Sequence, residues 1–407
     1  FKEPFLHPLH KDNGLSALWC KEISKKEPMF IIEQHPDSDK MMEDYYWLND
    51  YTILTPNKKL LNHFYKFDTV VDMNYLHWLN TGKPFQNNVR NNAIDFLSNK
   101  FYNVKKLNEI IPLSKHNEYC NDIVKSMGNL IFDSNDEYMN DVVKAFTSIE
   151  KNGIKVSNDI CDIFDIRVKK HISNGKLYSQ YNLWTTTGRP SNSFGSVNFA
   201  ALPPEKRKGF VAENDYLVEF DFDAYHLRLI ADLIDYDFGE ESVHEHLAKY
   251  YECSYEESKQ KTFRLLYGGI DKKTREKAPF FDLTHNYINK KWNEINTHNL
   301  VSTDIYRRKL LFKNYEDLNR NKVFNYLIQA LETESNIKKI LKVQDYLLNK
   351  NTKLVLYGYD SFLFDFSQQD GVETLKDIKS ILEEGKHFTK SKMGLNYGEM
   401  QDITKRL

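Results

Sequence analysis

The stretch Leu217-Val218-Glu219-Phe220-Asp221-Phe222-Asp223-Ala224-Tyr225-His226-Leu227-Arg228-Leu229-Ile230-Ala231 decides the reading of this chain. Its first six residues are an apolar, aromatic-rich run of strand length, and a helix is predicted to start near Ala224. Asp221 therefore stands at the end of a buried strand. Working outward, Lys353–Tyr357 and Phe362–Phe366 read as two further strands. They are joined by Gly358-Tyr359-Asp360-Ser361, a hairpin signature with an aspartate at its tip. Between these segments the pattern predicts helices over 241–252, 255–267, 283–297 and 318–349, and helices close the chain. A further helix is predicted over 138–151, where Val142, Val143, Phe146 and Ile149 share one face and Asn152-Gly153 stops it. The fold class is mixed α+β.

Composition sets limits without naming a chemistry. The 407 residues suffice for two or three domains, and 41% hydrophobic with 28% charged residues is globular usage. A net charge of −2 carries no nucleic-acid signal in bulk; only a local basic cleft would. Cys20, Cys120, Cys161 and Cys253 form no Cys-x-x-Cys pair, which argues against a zinc site or a disulfide framework and fits a reducing compartment. No apolar run reaches the roughly 18 residues of a membrane span, and no signal-peptide pattern is present. The expected location is cytoplasm (a host's, for a phage-encoded protein) or an organellar matrix, and not the secreted space.

Two aspartates, one at a strand end and one in a hairpin turn, suit hard cations. Phosphoryl transfer to a sugar hydroxyl uses two such ions about 4 Å apart, and magnesium takes carboxylate and phosphate oxygens. Lys259, Phe263 and Tyr267 recur at i, i+4 and i+8 and so share one helix face. Taken singly, each feature is also what a turn, a strand end or an amphipathic helix supplies.

Together they resemble the DNA polymerase I family, or family A polymerases. Asp221, the aromatic after it, Leu227 and Arg228 match motif A in register, with Asp223, Ala224, Tyr225 and His226 replacing the family's Ser-Gln-Ile-Glu core. Lys259, Phe263 and Tyr267-Gly268 match motif B. Leu356-Tyr357-Gly358-Tyr359-Asp360-Ser361-Phe362 is similar to motif C, with Tyr359 and Ser361 in place of its His and Glu. Thr187-Gly188-Arg189-Pro190-Ser191 resembles the loop whose Arg reads the primer minor groove. Val197-Asn198-Phe199-Ala200-Ala201-Leu202-Pro203 resembles the segment that follows it, and Asn325-Tyr326-Leu327-Ile328-Gln329 the Asn-x-x-x-Gln helix along template and primer. These matches fall in family order over roughly residues 140–405.

The resemblance implies roles residue by residue. Asp221 and Asp360 would hold two Mg²⁺ ions, with Mn²⁺ a possible substitute, and Lys259 would neutralise the leaving pyrophosphate. Phe263 would cover base and sugar, Tyr267 would sit behind the templating base, and His226 would take the place of the sugar-excluding Glu. Arg189, Asn198, Asn325 and Gln329 would contact DNA, where amides meet acceptors common to every base pair. The family's fingers Arg is Tyr255 here, and His244 is a candidate for the missing phosphate contact; a metal pair of His244 with His246 is disfavoured, since i and i+2 do not share a helix face.

The implied architecture is a right-hand palm and fingers with a vestigial thumb, behind an N-terminal α/β exonuclease-like (RNase H-like) domain. Its expected parts are the exonuclease-like domain at 1–135, a connecting helix and reduced thumb at 136–186, palm at 187–240, fingers at 241–315 and palm again at 316–407. The thumb is short because Phe146–Val156, which resembles the lead into it, is separated from the Thr187 loop only by 157–186. Phe67-Asp68-Thr69, Tyr75-Leu76 and Ala93-Ile94-Asp95-Phe96-Leu97 echo the exonuclease domain, but its metal carboxylates fall on Ile31 and Leu61, and Tyr119 and Asp122 are one residue too close. The expected activity is dNTP addition to a primer 3′ end on DNA without proofreading, with a processivity or replisome partner possible. The alternatives are an RNA polymerase or primase-like enzyme on the same palm, turning on His226, and a catalytically silent nucleic-acid-binding homologue.

Overall fold

In the computed structural model, the residues described are 18–24, 29–34, 49–55, 58–64, 67–82, 136–164, 172–192, 197–311 and 318–407. The expectations at Ala93–Leu97, Tyr119 and Asp122, and the expected boundaries near 135 and 315, lie outside them. The chain divides into two compact units, one running to Trp184 and including Ser191–Leu202, the other comprising Thr185–Pro190 and Pro203–Leu407.

The first unit holds a four-stranded sheet in the order β1 (Leu18–Ser24), β2 (Met29–Gln34), β3 (Thr52–Thr55), β4 (Val70–Asp72). The first pair is antiparallel and the next two are parallel. Two helices, α1 (Lys58–Phe64) and α2 (Met73–Thr81), follow β3 and β4. Asp72 caps α2 through Tyr75 N at 3.0 Å and also accepts from Lys58 N at 2.8 Å, so one buried carboxylate satisfies two helix starts. Helix α3 (Glu137–Asn152) buries the stripe read from the sequence, including Val142, Val143, Phe146 and Ile149. Gly153 follows at φ +60°, where a Cβ would meet the Tyr178 ring at 2.8 Å. The described residues between here and Thr185 form only two-residue strands and a one-turn helix.

The second unit is built on a five-stranded antiparallel sheet. Its strands are β5 (Tyr216–Phe222), β8 (Lys353–Tyr357), β9 (Ser361–Phe366), β10 (Thr389–Gly394) and β11 (Gln401–Asp402). The spatial order is β8-β9-β5-β10-β11, so the strand carrying Asp221 is central. Alternation puts Glu219 and Asp221 on one face and Val218, Phe220 and Phe222 on the other. Phe220 meets Phe364, and Phe222 meets Phe362, edge to face at 5.7 and 5.8 Å. Each such pair adds roughly 0.5–1.5 kcal/mol beyond area burial.

Helices α4 (Tyr225–Leu233), α5 (Val243–Tyr251), α6 (Tyr255–Gly268), α7 (Lys272–Lys277) and α8 (Pro279–His298) follow β5 in the chain. Next come a small hairpin, β6 (Leu300–Ser302) with β7 (Lys309–Leu311), the 27-residue α9 (Arg320–Tyr346), and α10 (Val372–Leu382) after β9. Helix α9 packs against α4, α6, α8 and α10. Its apolar core with them includes Leu227, Ile230, Leu265, Phe280, Phe281, Phe324 and Ile328.

Most helices lie within a few residues of the sequence expectation. Helix α8 starts earlier, at Pro279, because proline at the first helical position loses no hydrogen bond. The β6–β7 hairpin was not anticipated. Its strands are three residues each, and their pairing and their packing against α8 hold them. No described helix is long and apolar enough to cross a membrane.

Candidate active site

Asp221 and Asp360 are brought together by backbone pairing. Asp221 is opposite Ser361 in the β5–β9 ladder, and the amide of Phe222 donates to the carbonyl of Asp360 at 2.9 Å. The turn that carries Asp360 is tightly specified. Gly358 N donates to Ser361 O at 2.8 Å, and Tyr359 takes φ +72°. A Cβ on Gly358 would stand 2.5 Å from Ser361 Oγ. On the other side, Ala224 links β5 to α4 at φ +52°. That left-handed conformation costs a non-glycine residue roughly 1–2 kcal/mol.

Asn336, buried on α9, ties both turns together. Its Nδ2 donates to Tyr359 O at 2.7 Å, and its Oδ1 accepts from Tyr225 OH at 2.8 Å. One amide thus fixes the segment after Asp221 and the segment before Asp360.

The two aspartates open onto a cavity of about 450 Å³, lined also by Arg189, His226, His244, Tyr255, Lys259, Phe263, Tyr267, Glu332 and Lys390. Burial pushes the Asp221 carboxyl up to about 6, and the negative charges of Asp360 and Glu219 push the same way. Asp360 is raised too, first by burial and then by Glu332. A divalent cation would relieve this clustering of negative charge. Two carboxylates are a hard, all-oxygen donor set that leaves positions for substrate phosphates, which is how magnesium is commonly held. Among the described residues, no group of three or more His, Cys, Asp or Glu side chains is arranged to hold a metal on its own.

Helix α6 forms one wall. A capping box between Ser254 and Glu257 starts it, and Ser258 Oγ anchors it to His244 O on α5 at 2.8 Å. Lys259, Phe263 and Tyr267 then line the cavity on successive turns, with Phe263 51% exposed. Tyr255 precedes them by one turn and meets the His244 ring edge to face at 5.8 Å.

His226 and Arg189 converge on Glu332, a carboxylate only 1% exposed. Arg189 Nε lies 2.8 Å from Glu332 Oε2, and the guanidinium stacks 3.8 Å over the Tyr359 ring. His226 Nδ1 lies 2.6 Å from Tyr267 OH, and its Nε2 3.3 Å from Glu332 Oε1. The Arg189 loop is held by Thr187, whose hydroxyl donates to Gln329 Oε1 at 3.2 Å and whose carbonyl accepts from Arg308 at 3.2 Å.

The remaining expected residues are distributed as follows. His244 lines the cavity but is 4% exposed, and burial, Lys259 and Lys390 lower its pKa, so it is neutral near pH 7. His246 does not pair with it on a metal, because its ring nitrogens face Tyr236 OH at 2.8 Å and Glu241 Oε1 at 2.7 Å. Asn325 and Gln329 lie on α9 without lining the cavity. Asn198 belongs to the first unit, just before the 3-10 turn Phe199–Ala201.

Sequence reasoning missed Glu332, Asn336 and Lys390. The only local signal for Glu332 was its place one turn after Gln329 on the same helix; Lys390 gave none.

No protein-family model matches the sequence, and no curated protein matches it. The structure does find relatives in shape. The "POL domain of Pol1 from M. smegmatis complex with DNA primer-template and dNTP" superposes with a TM-score of 0.67, at 13% identity, over 97% of this chain and 98% of that one. The fold is that of a polymerase domain. In this polymerase fold the paired strand end and hairpin turn, and the helix bearing Lys259, surround one cavity.

Proposed function

We propose that the chain is a template-directed DNA polymerase that adds dNTPs to a primer 3′ end. The observation that carries this reading is the pairing of Asp221 with the Asp360 turn at the floor of a cavity walled by Lys259, Phe263 and Tyr267. Bound at Asp221 and Asp360, divalent cations, with magnesium the natural choice, would neutralise charge as the 3′-oxygen attacks the α-phosphate. Lys259 stabilises negative charge on the leaving pyrophosphate. Phe263 presents an exposed ring for base and sugar to pack against, and Tyr267 closes the pocket behind it. In this reading the five-stranded sheet is the palm, α5–α8 belong to the fingers, and the short strands between α3 and Thr185 occupy the stretch of chain that would carry a thumb. Arg189, Asn198, Asn325 and Gln329 would contact primer-template, and His226 would exclude the ribose 2′-hydroxyl.

The His226–Tyr267 hydrogen bond favours a DNA product over the RNA-polymerase reading, because it fixes the imidazole as a wall. The test is extension of a labelled primer on DNA template with dNTPs and with NTPs, using wild type, Asp221→Asn and Asp360→Asn. Wild type should extend with dNTPs, and each variant should lose at least about a thousandfold in rate, roughly 4 kcal/mol of barrier. Extension by both variants within about tenfold of wild type would remove the metal assignment. No extension by wild type would favour a silent binding homologue.

A further inference from the structure

We infer that Lys390 is a second triphosphate-binding residue, reaching the nucleotide from the sheet opposite Lys259; this rests on the polymerase reading above. Lys390 is the ladder partner of Asp221 across β5 and β10, so the register fixes its backbone beside the aspartate. Its side chain is 55% exposed and lines the same cavity as Lys259. Its ammonium donates to Asp223 Oδ1 at 2.6 Å. An ammonium has three donors. Asp223 takes one and aims the group, leaving the others for a phosphate oxygen.

Among the described residues, Lys259 is the one lysine or arginine that lines the cavity from the helical side. Tyr255, one turn before Lys259, offers a phenol and no guanidinium or ammonium group. His244 is buried and neutral. Arg189 is committed to Glu332 and the Tyr359 ring. Of the cavity's remaining cations, Lys259 and Lys390 stand on two different elements, α6 and β10, and the charges of both act on the His244 imidazole. A polyphosphate spanning from Asp221 toward α6 would meet one lysine from each side. Coulomb attraction inside such a partly enclosed site exceeds that at an open surface.

The experiment compares wild type, Lys390→Met and Lys390→Arg in single-nucleotide addition on primed DNA. Inorganic tripolyphosphate binding with Mg²⁺ is measured in parallel by calorimetry. Lys390→Met should raise KM for the dNTP about tenfold, with kcat within about threefold. It should weaken tripolyphosphate by a similar factor, and Lys390→Arg should restore most of both. The exposed side chain makes a folding defect unexpected, and Lys390→Gln repeats the measurement if Lys390→Met melts early. Unchanged KM and tripolyphosphate affinity, or a fall confined to kcat, would overturn the inference and leave Lys390 as a partner of Asp223 only. If wild type extends no primer while Lys390→Met still loses tripolyphosphate, the anion site stands and the polymerase reading fails.

Discussion

Nδ1 of His226 lies 2.6 Å from the hydroxyl of Tyr267, which joins helix α4 of the sheet side to helix α6 of the opposite wall. Burial pushes the Tyr267 phenol up to about 12, so it stays protonated and can donate to the imidazole. Its other nitrogen, Nε2, lies 3.3 Å from Glu332 Oε1, so the buried carboxylate borders the ring on that side.

His226→Ala should therefore erode a preference for dNTPs over NTPs. A steric conflict of a few kcal/mol corresponds to a hundredfold preference or more, and removing the imidazole opens that volume. Tyr267→Phe, which leaves the ring in place without its hydrogen bond, should have a smaller effect. The ratio of kcat/KM for matched dNTP and NTP is the measurement. An unchanged ratio in His226→Ala would move the selection to Tyr225 or Phe263.

Metal affinity should depend on pH through Asp221. Its carboxyl, raised from 3.8 to about 6, must lose its proton to bind a cation. Mg²⁺ affinity should rise as pH rises through about 6 and level off above it. Without metal the sign for stability is opposite. Between 3.8 and about 6 the folded state binds more protons than the unfolded one, so this group's contribution falls as pH rises. Mg²⁺-dependent shifts in melting temperature at pH about 5.5 and about 7.5 should show the stronger stabilisation at the higher value. Asp221→Asn should flatten the difference.

Arg308 and Glu334, 5% and 0% exposed, form a buried ion pair. Glu334→Gln removes the buried carboxylate charge that faces the guanidinium and should cost about 3 kcal/mol or more. Because Arg308 also donates to Thr187 O, the loop carrying Arg189 should loosen with it. Melting temperature reads the first effect, and primer-template affinity the second. Replacing both residues with apolar ones should recover much of the stability.

No 3′→5′ excision is expected. Ile31 is paired with Lys21 and Leu54 in the middle of the first unit's sheet, and Leu61 is buried on α1. Neither position supplies a carboxylate, which a two-metal nuclease requires. Incubation of a mispaired primer with Mg²⁺ and no dNTP should leave it intact. Excision that survives Asp221→Asn would place a nuclease site elsewhere.

What the sequence determined by itself was local. The apolar, aromatic-rich run that carries Asp221 near its end, the turn residues around Asp360 and the i, i+4, i+8 spacing of Lys259, Phe263 and Tyr267 are each set within about ten residues, because hydrophobic patterning and turn chemistry are short-range. The stripe of α3 was legible for the same reason. Tertiary structure decided the rest. Glu332 is 143 residues from Arg189, Asn336 is 111 from Tyr225, and Lys390 is 167 from Asp223. Such pairs have no periodic signature, since a strand's partner and register depend on the whole sheet. The β5–β10 register puts Lys390 beside Asp221, and a shift of one residue would send it to the opposite face. Burial is likewise a property of the packed unit. It lowered the pKa of His244 and raised that of Asp221, because desolvation depends on what surrounds a group and not on its neighbours in the chain.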